Sequence, residues 1–289
     1  MIRVAFQGEH GAFSQETAHQ RFGQENVEAI ACRTFEHIFE AVESGRADYC
    51  AVPVENSTAG SIIKAYDLLL EHDLRIHAEE LLRVSYCLMR IPGESAPIKI
   101  VRAHPQSLAQ TEKFLNRREY VAQPWYDSAG AAKDLVAAPE KGVAIVGNSL
   151  TAEHYGLEIL ERGIEDFKYN FTRFFIVGKQ GHEAEQSDRW KTSIIFAMPE
   201  APGALHEALG LFASREINLT KIESRPRRDR LWQYMFYLDF DRHYQDPAAS
   251  QALIELMGKA AFVKLLGSYP AAEPPQKEEL TAQAASFQI

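Results

Sequence analysis

The chain has 289 residues, with 31 Lys and Arg against 40 Asp and Glu, a formal net charge of −9. A hydrophobic share of 46% is enough for a packed core, so disorder is excluded as the main state, and at roughly 150 residues per domain two domains are expected. The acidic balance excludes nucleic acid or an anionic membrane as the main partner, and taken alone it also argues against a small anionic ligand.

In chain order, residues 1–180 alternate strands with helices. Strands are predicted over 2–6, 27–31, 49–54, 98–103, 120–123 and 143–146. Helices are predicted over 14–22, 35–44, 62–71, 107–117, 129–138 and 149–154. The helix over 35–44 carries the period most openly: Phe35, Ile38, Phe39 and Val42 share a face, Thr34 stands as N-cap, and Gly45 follows as a stop. Strand–helix alternation at these lengths implies βαβ units and a mostly parallel sheet. Residues 77–91 form a long extended stretch, read as a crossing between two α/β lobes, and 163–177 contains a return crossing. Two lobes joined by two crossings leave a cleft between them.

Residues 179–190 read as a polar linker. Beyond it the order is strand 192–197, helix 203–214, strand 217–224, strand 231–240, a helix capped by Asp246 with Pro247 at its first position, and strand 262–267. That is βαββαβ, the ferredoxin-like arrangement. The tail 271–289 is expected to be loosely ordered. No apolar run approaches the ~20 residues that span a bilayer, and the first residues read as a strand rather than a leader. Cys32, Cys50 and Cys87 are widely spaced without a C-x-x-C, so neither a disulfide framework nor a thiolate zinc site is expected. A cytoplasmic protein fits, with no membrane and no nucleic acid among its partners.

Five junctions after strands share one chemistry: Gly8 to Ser14, Glu55 to Ser61, His104 to Ser107, Asp127 to Gly130, and Gly147-Asn148-Ser149. Small, hydroxyl and amide residues at a helix N-terminus suit an anion, because free N–H groups and the positive end of the helix dipole meet there. The same residues are also ordinary caps, so the pattern alone leaves both readings open. His10 and His104 fall at strand ends and either touch a ligand or lie at the surface. There is no G-x-G-x-x-G after a strand and no P-loop, which disfavours nucleotides, and no metal-ligand spacing of histidines. The cluster Arg225-Pro226-Arg227-Arg228-Asp229-Arg230 reads as a solvated turn. Asn170-Phe171-Thr172-Arg173-Phe174 lies on a predicted strand whose period of two puts Thr172 and Phe174 on one face. From pattern alone it is an amphipathic strand with an exposed arginine.

These motifs together resemble the prephenate dehydratase family over nearly the whole chain. The marks are Gly8-x-x-Gly11-x-Phe13-Ser14, Pro53-x-Glu55-Asn56-Ser57-x-x-Gly60, His104-Pro105-Gln106, Ser128-x-x-Ala131, Tyr155-Gly156-Leu157 and Asn170-x-Thr172-Arg173-Phe174. The C-terminal part is similar to an ACT domain, with Gly203-Ala204-Leu205-His206 and Glu223-Ser224-Arg225-Pro226. Departures are Thr111, where a Cys is common, and Gly147-Asn148-Ser149 in place of an alanine-rich run. No helical chorismate mutase segment is expected ahead of the first strand.

The resemblance implies a two-lobed α/β catalytic part of the type II periplasmic-binding-protein kind over 1–180 and a ferredoxin-like ACT domain over 190–270. It implies conversion of prephenate to phenylpyruvate without cofactor or metal, with arogenate dehydratase or a non-catalytic small-anion sensor as alternatives. The catalytic set it suggests is Thr172, Arg173, Glu55, Asn56 and Ser57. Thr172 assists the departing hydroxyl, Glu55 orients neighbours or donates a proton, and Arg173 holds a substrate carboxylate or a structural ion pair. Gly11, Phe13, Ser14, His104, Gln106, Ser128, Asn170 and Phe174 would bind substrate. Phenylalanine would act as effector at Gly203, Ala204, Leu205, His206, Asn218, Leu219, Glu223, Ser224, Arg225 and Pro226, in a homodimer or homotetramer.

Overall fold

The computed structural model describes residues 1–179, 187–226 and 234–273. In chain order its elements are β1 (Ile2–Gln7), α1 (Phe13–Phe22), β2 (Val27–Cys32), α2 (Phe35–Glu43), β3 (Tyr49–Asn56), β4 (Gly60–Ser61), α3 (Ile63–Glu71), β5 (Arg75–Arg83), β6 (Cys87–Arg90), β7 (Ile100–Ala103), α4 (Pro105–Ala109) and α5 (Glu112–Arg117). They continue with β8 (Val121–Pro124), α6 (Ser128–Ala137), β9 (Val143–Gly147), α7 (Ser149–Tyr155), β10 (Glu158–Arg162), β11 (Phe171–Gly178), β12 (Trp190–Ala197), α8 (Ala204–Ala213), β13 (Leu219–Pro226), β14 (Tyr234–Asp241), α9 (Pro247–Lys259) and β15 (Phe262–Pro270).

Three sheets organise them. The first has the order β2-β1-β3-β11-β5, with β4 paired to β3, and the β1–β2 and β1–β3 pairs are parallel. The second has the order β10-β6-β9-β7-β8, parallel around β7 and antiparallel at β6. The third is the antiparallel sheet β13-β14-β12-β15. The chain passes from the first sheet to the second between β5 and β6, and returns between β10 and β11.

The described residues form two compact units, one holding Met1–Ile62 and Glu80–Phe174, the other Ile63–Glu79 and Phe175–Ala272. The first unit has an α/β core for each of its two sheets. One includes Val4, Phe6, Ile38, Phe39 and Val42, and the other Val101, Phe114, Leu115 and Val146. In the second unit α8 and α9 cover one face of the antiparallel sheet, where Ile194, Phe196, Phe212, Leu238, Phe240 and Leu256 are buried. No helix among the described residues is long and apolar enough to cross a membrane.

Local signals explain most boundaries. The Thr34 hydroxyl accepts the His37 N–H and opens α2, and Gly45 follows it at φ +75°. Asp246 accepts the N–H groups of Ala248 and Ala249, and Pro247 opens α9.

Several expectations are corrected. The single helix over 107–117 is two, α4 and α5. The Gln110 carbonyl accepts the Asp166 N–H instead of a helical one, the Asp166 carboxylate takes the Lys113 N–H, and Thr111 turns its hydroxyl back to the Ser107 carbonyl. The stretch 77–91 is two strands, β5 and β6, in different sheets. Strands β4 and β10 were not expected; β4 has two residues, and β10 carries a bulge between Ile159 and Glu161. The strand expected over 231–240 is β14 from Tyr234, and 231–233 lie outside the described residues, as do most of the linker, the cluster from Arg227 to Arg230, and the tail from Pro274.

Candidate active site

Four helices of the first unit begin at one cleft of about 380 Å³. Gly11, Phe13 and Ser14 bring the start of α1 to it, His104 and Gln106 that of α4, Asp127 and Ser128 that of α6, and Asn148 and Thr151 that of α7. Three of these helices are capped by their own side chains. His104 Nδ1 accepts the Gln106 N–H (3.2 Å), Asp127 Oδ1 accepts Gly130 (2.8 Å), and Asn148 Oδ1 accepts Thr151 (2.9 Å). Helix α1 has no side-chain cap; its Gln15 N–H turns back to the Ala12 carbonyl, and among the described residues the N–H groups of the cleft-lining Phe13 and Ser14 have no acceptor of their own. Among the described lining residues there is no lysine or arginine and one carboxyl, Asp127, so what favours an anion there is helix dipoles and N–H groups rather than side-chain charge.

Gly11 joins the two halves of this wall. Its N–H donates to Gln15 Oε1 (2.8 Å), and its carbonyl accepts the Thr151 hydroxyl (2.9 Å). Its φ is +93°, and a Cβ there would fall 2.8 Å from Thr151 Cα. Nearby, Ser128 Oγ accepts the His104 N–H and donates to Ser107 Oγ, both at 3.1 Å, tying α4 to α6. Phe13 packs edge-on against Tyr86 at 5.5 Å.

Thr172 and Phe174 on β11 also line the cleft, the first 9% exposed and the second buried. Thr172 Oγ1 accepts a hydrogen bond from Asn56 Nδ2 (3.1 Å). Asn56 itself lines the cleft from the end of β3. Asn170 lies behind it, fully buried and accepting from Asn56 Nδ2 at 2.8 Å. Ser57 ties the end of β3 to the start of β11: its N–H donates to the Phe171 carbonyl, its hydroxyl donates to the Tyr169 carbonyl, and its oxygen accepts the Phe171 N–H.

Arg173 corrects the expectation from pattern. It is 9% exposed rather than solvated, because β11 is an interior strand with β3 and β5 on either side. It does not line the cleft, and its Nη1 lies 4.0 Å from Glu55 Oε2. Of the expected site residues, nine therefore line the cleft: Gly11, Phe13, Ser14, Asn56, His104, Gln106, Ser128, Thr172 and Phe174. Glu55, Ser57, Asn170 and Arg173 do not. His10 is away from the cleft lining too, with its ring against Phe6 and His154.

Several cleft residues were missed. Gln110 lies one turn after Gln106, a spacing of four that was available in the sequence. Asp127 and Asn148 stood in the recognised junctions without a role. Burial pushes the Asp127 carboxyl up, and the N–H groups of Gly130 and Ala129 only partly offset this. With the folded pKa above the unfolded one, the folded state holds more protons between the two values, and stability falls as pH rises through that window. Asp127→Asn, which keeps the cap, is expected to raise Tm relative to wild type at pH 7, with the gain vanishing below about pH 4. Thermal melts at the two pH values check this.

In the second unit, Gly203, Ala204, Leu205 and His206 start α8. Ala204 and Leu205 line a cavity of about 280 Å³ with Met198, Pro202, Tyr234 and Phe236. Gly203 has φ +84°, so the left-handed turn favours glycine there, and among the described residues nothing lies within 4 Å of where a Cβ would stand. Ser224 and Pro226 pair with Phe236 and Tyr234 of that cavity wall, one strand away. Asn218 donates to Asp241, Leu219 packs on the core, Glu223 lies 3.9 Å from Lys221, and Arg225 bonds both oxygens of Asp67.

Comparison with known proteins places this geometry. The family model for prephenate dehydratase matches residues 4–182, and that for the ACT domain matches 192–256. The chain is 40% identical over 279 residues to arogenate dehydratase/prephenate dehydratase 2, chloroplastic, of Arabidopsis thaliana, covering 93% of this chain and 73% of that protein. The structure of a prephenate dehydratase in complex with L-Phe from Arthrobacter aurescens superposes with a TM-score of 0.85 at 30% identity, over 99% of this chain and 98% of that one. A second solved structure, GqqA, described as a novel type of quorum quenching acylase, also gives 0.85, at 32% identity over 93% of this chain and 98% of its own. The chain belongs to the prephenate dehydratase family and carries a C-terminal ACT domain.

Proposed function

We propose that the cleft converts prephenate to phenylpyruvate. The observation that carries this reading is Thr172 Oγ1, set in the cleft wall and accepting a hydrogen bond from Asn56. The substrate's ring carboxyl leaves as CO2, and its C–C bonding pair becomes part of the aromatic ring. The ring C–O bond breaks, and the departing hydroxide takes one proton to become water. A threonine hydroxyl is a poor free acid, but with its oxygen already accepting from Asn56, its O–H is available to the leaving oxygen. It donates that hydrogen bond and relays a proton that solvent replaces. The uncapped first turn of α1 takes a carboxylate, with the Ser14 hydroxyl and the Gln106 amide as donors, and Ser128, whose hydroxyl hydrogen goes to Ser107, holds α4 against α6. Arg173 and Glu55 act as a structural pair behind this wall, and Ser57 and Asn170 support Asn56.

Arogenate, with an ammonium in place of the keto group, is the second reading. It is favoured by the names of plant relatives that are 40% and 41% identical and by Asp127 at the cleft. Comparing kcat/KM on the two substrates tests the assignment. A higher value on prephenate supports it, and a higher value on arogenate reverses it.

We assign catalysis to residues 1–180 and regulation to 190–270, with phenylalanine bound beside Ala204 and Leu205, and we expect a homodimer or homotetramer in the cytoplasm. Support comes from the apolar cavity there and from the L-Phe complex of the Arthrobacter aurescens protein. An effector shifts an equilibrium only by binding its states unequally, so millimolar phenylalanine is expected to lower activity and raise Tm together. No change in either quantity contradicts the regulatory assignment.

A further inference from the structure

Four side chains form a closed ring in which each donates to the next. Asn56 Nδ2 donates to Asn170 Oδ1 (2.8 Å), Asn170 Nδ2 to Gln110 Oε1 (3.1 Å), Gln110 Nε2 to Thr58 Oγ1 (2.9 Å), and Thr58 Oγ1 to Asn56 Oδ1 (2.7 Å). The direction is fixed by the backbone, because Asn56 Oδ1 also accepts the N–H groups of Thr58 (3.0 Å) and Ala59 (2.9 Å). Reversing the Asn56 amide would set its NH2 against those two donors. The Tyr86 hydroxyl donates into the ring at Gln110 Oε1 (2.8 Å). Burial pushes its pKa up to about 12, so it keeps the proton it donates. The second N–H of Asn56 leaves the ring, shared between the Phe171 carbonyl (3.2 Å) and Thr172 Oγ1 (3.1 Å).

Thr58 is exposed, does not line the cleft, and sits in the turn between β3 and β4. We infer that Thr58 is a positioning residue for the reaction: its hydroxyl bridges Gln110 Nε2 and Asn56 Oδ1, which meet directly only at 3.5 Å, adds to the two backbone N–H groups that hold Asn56 with its amide nitrogen toward Thr172, and thereby aims the Thr172 O–H into the cleft. Hydrogen bonds that run one way around a ring polarise one another, so the donor reaching Thr172 is stronger for the closure. This inference rests on Thr172 as the donor to the leaving oxygen.

Thr58→Val keeps the β-branched shape and removes the hydroxyl. In the full-length chain it is expected to lower kcat by about tenfold, with KM within about twofold and Tm within about 2 °C of wild type. Thr58→Ser is expected to restore kcat to within about twofold, and Thr58→Ala to match the valine variant. Added to Thr172→Ala, Thr58→Val is expected to cost less than about twofold more, because the group it positions is gone. A wild-type kcat in Thr58→Val, a loss that serine does not restore, or full additivity with Thr172→Ala overturns the inference. Wild-type turnover in Thr172→Ala overturns the reading beneath it as well, whereas a slow Thr172→Ala beside a fast Thr58→Val removes only the role of Thr58.

Discussion

Thr172→Ala is expected to lower turnover of prephenate by roughly 10²–10⁴, the range for one positioned proton-transfer group. The side chain is 9% exposed, so the loss of a methyl and a hydroxyl from the wall has a modest effect on packing and a large one on chemistry. The hydroxyl accepts from Asn56 and so presents its own proton outward, toward a leaving oxygen that gains charge only as the C–O bond breaks. Binding of the ground state is held mainly by other groups, so KM is expected to move less than kcat. Thr172→Ser keeps the hydroxyl and is expected to stay within about tenfold of wild type. Steady-state kinetics on the three proteins checks this, and near wild-type turnover from the alanine variant contradicts the role.

The second large effect is expected at Gly11. Gly11→Ala meets two costs at once: a φ of +93° that L side chains rarely adopt, and a Cβ 2.8 Å from Thr151 Cα. The obstructing atom is backbone, so it cannot swing aside as a side-chain end would. Each cost is of the order of 1–3 kcal/mol, and together they give a destabilisation of about 3 kcal/mol or more. Relieving the clash also moves the contact in which Thr151 donates to the Gly11 carbonyl, and with it the spacing of the α1 and α7 N-termini across the cleft. Urea unfolding is expected to show the loss of stability, and kinetics a fall in turnover beyond what the unfolded fraction explains. A variant with wild-type midpoint and wild-type kcat contradicts this account of Gly11.

Much of the frame was legible because it rests on local rules. Thr34, Gly45, Asp246 and Pro247 mark helix ends by chemistry that acts within a few residues. The βαββαβ order was legible for the same reason. The break between α4 and α5 was not, because Asp166, more than fifty residues away, takes over the Gln110 carbonyl and the Lys113 N–H. Arg173 looked exposed because alternation along one strand gives faces but not what covers them. The sheet order, with β11 interior, supplies that.

At the site, seven of the nine motif residues that line the cleft sit in the junctions after strands, where the sequence pattern already pointed, whereas Thr172 and Phe174 lie within β11 and stood out only through the family resemblance. The roles of Thr58 and Gln110 depend on hydrogen bonds that span 52 to 114 positions, and no periodicity carries that information. The net charge of −9 was the most misleading single number. The cleft has no lysine or arginine among its described lining residues, and the one of its four helix N-termini without a side-chain cap, that of α1, suits a carboxylate whatever the total charge.

The central claim is that this cleft breaks bonds in its ligand rather than only holding it. The most direct measurement is incubation of the purified full-length chain with prephenate, followed by quantitation of phenylpyruvate and CO2. The account predicts that the two products form in equal amounts, with many turnovers per chain. Prephenate that binds, shifts Tm and is recovered unchanged would contradict it and leave the molecule a sensor of small anions.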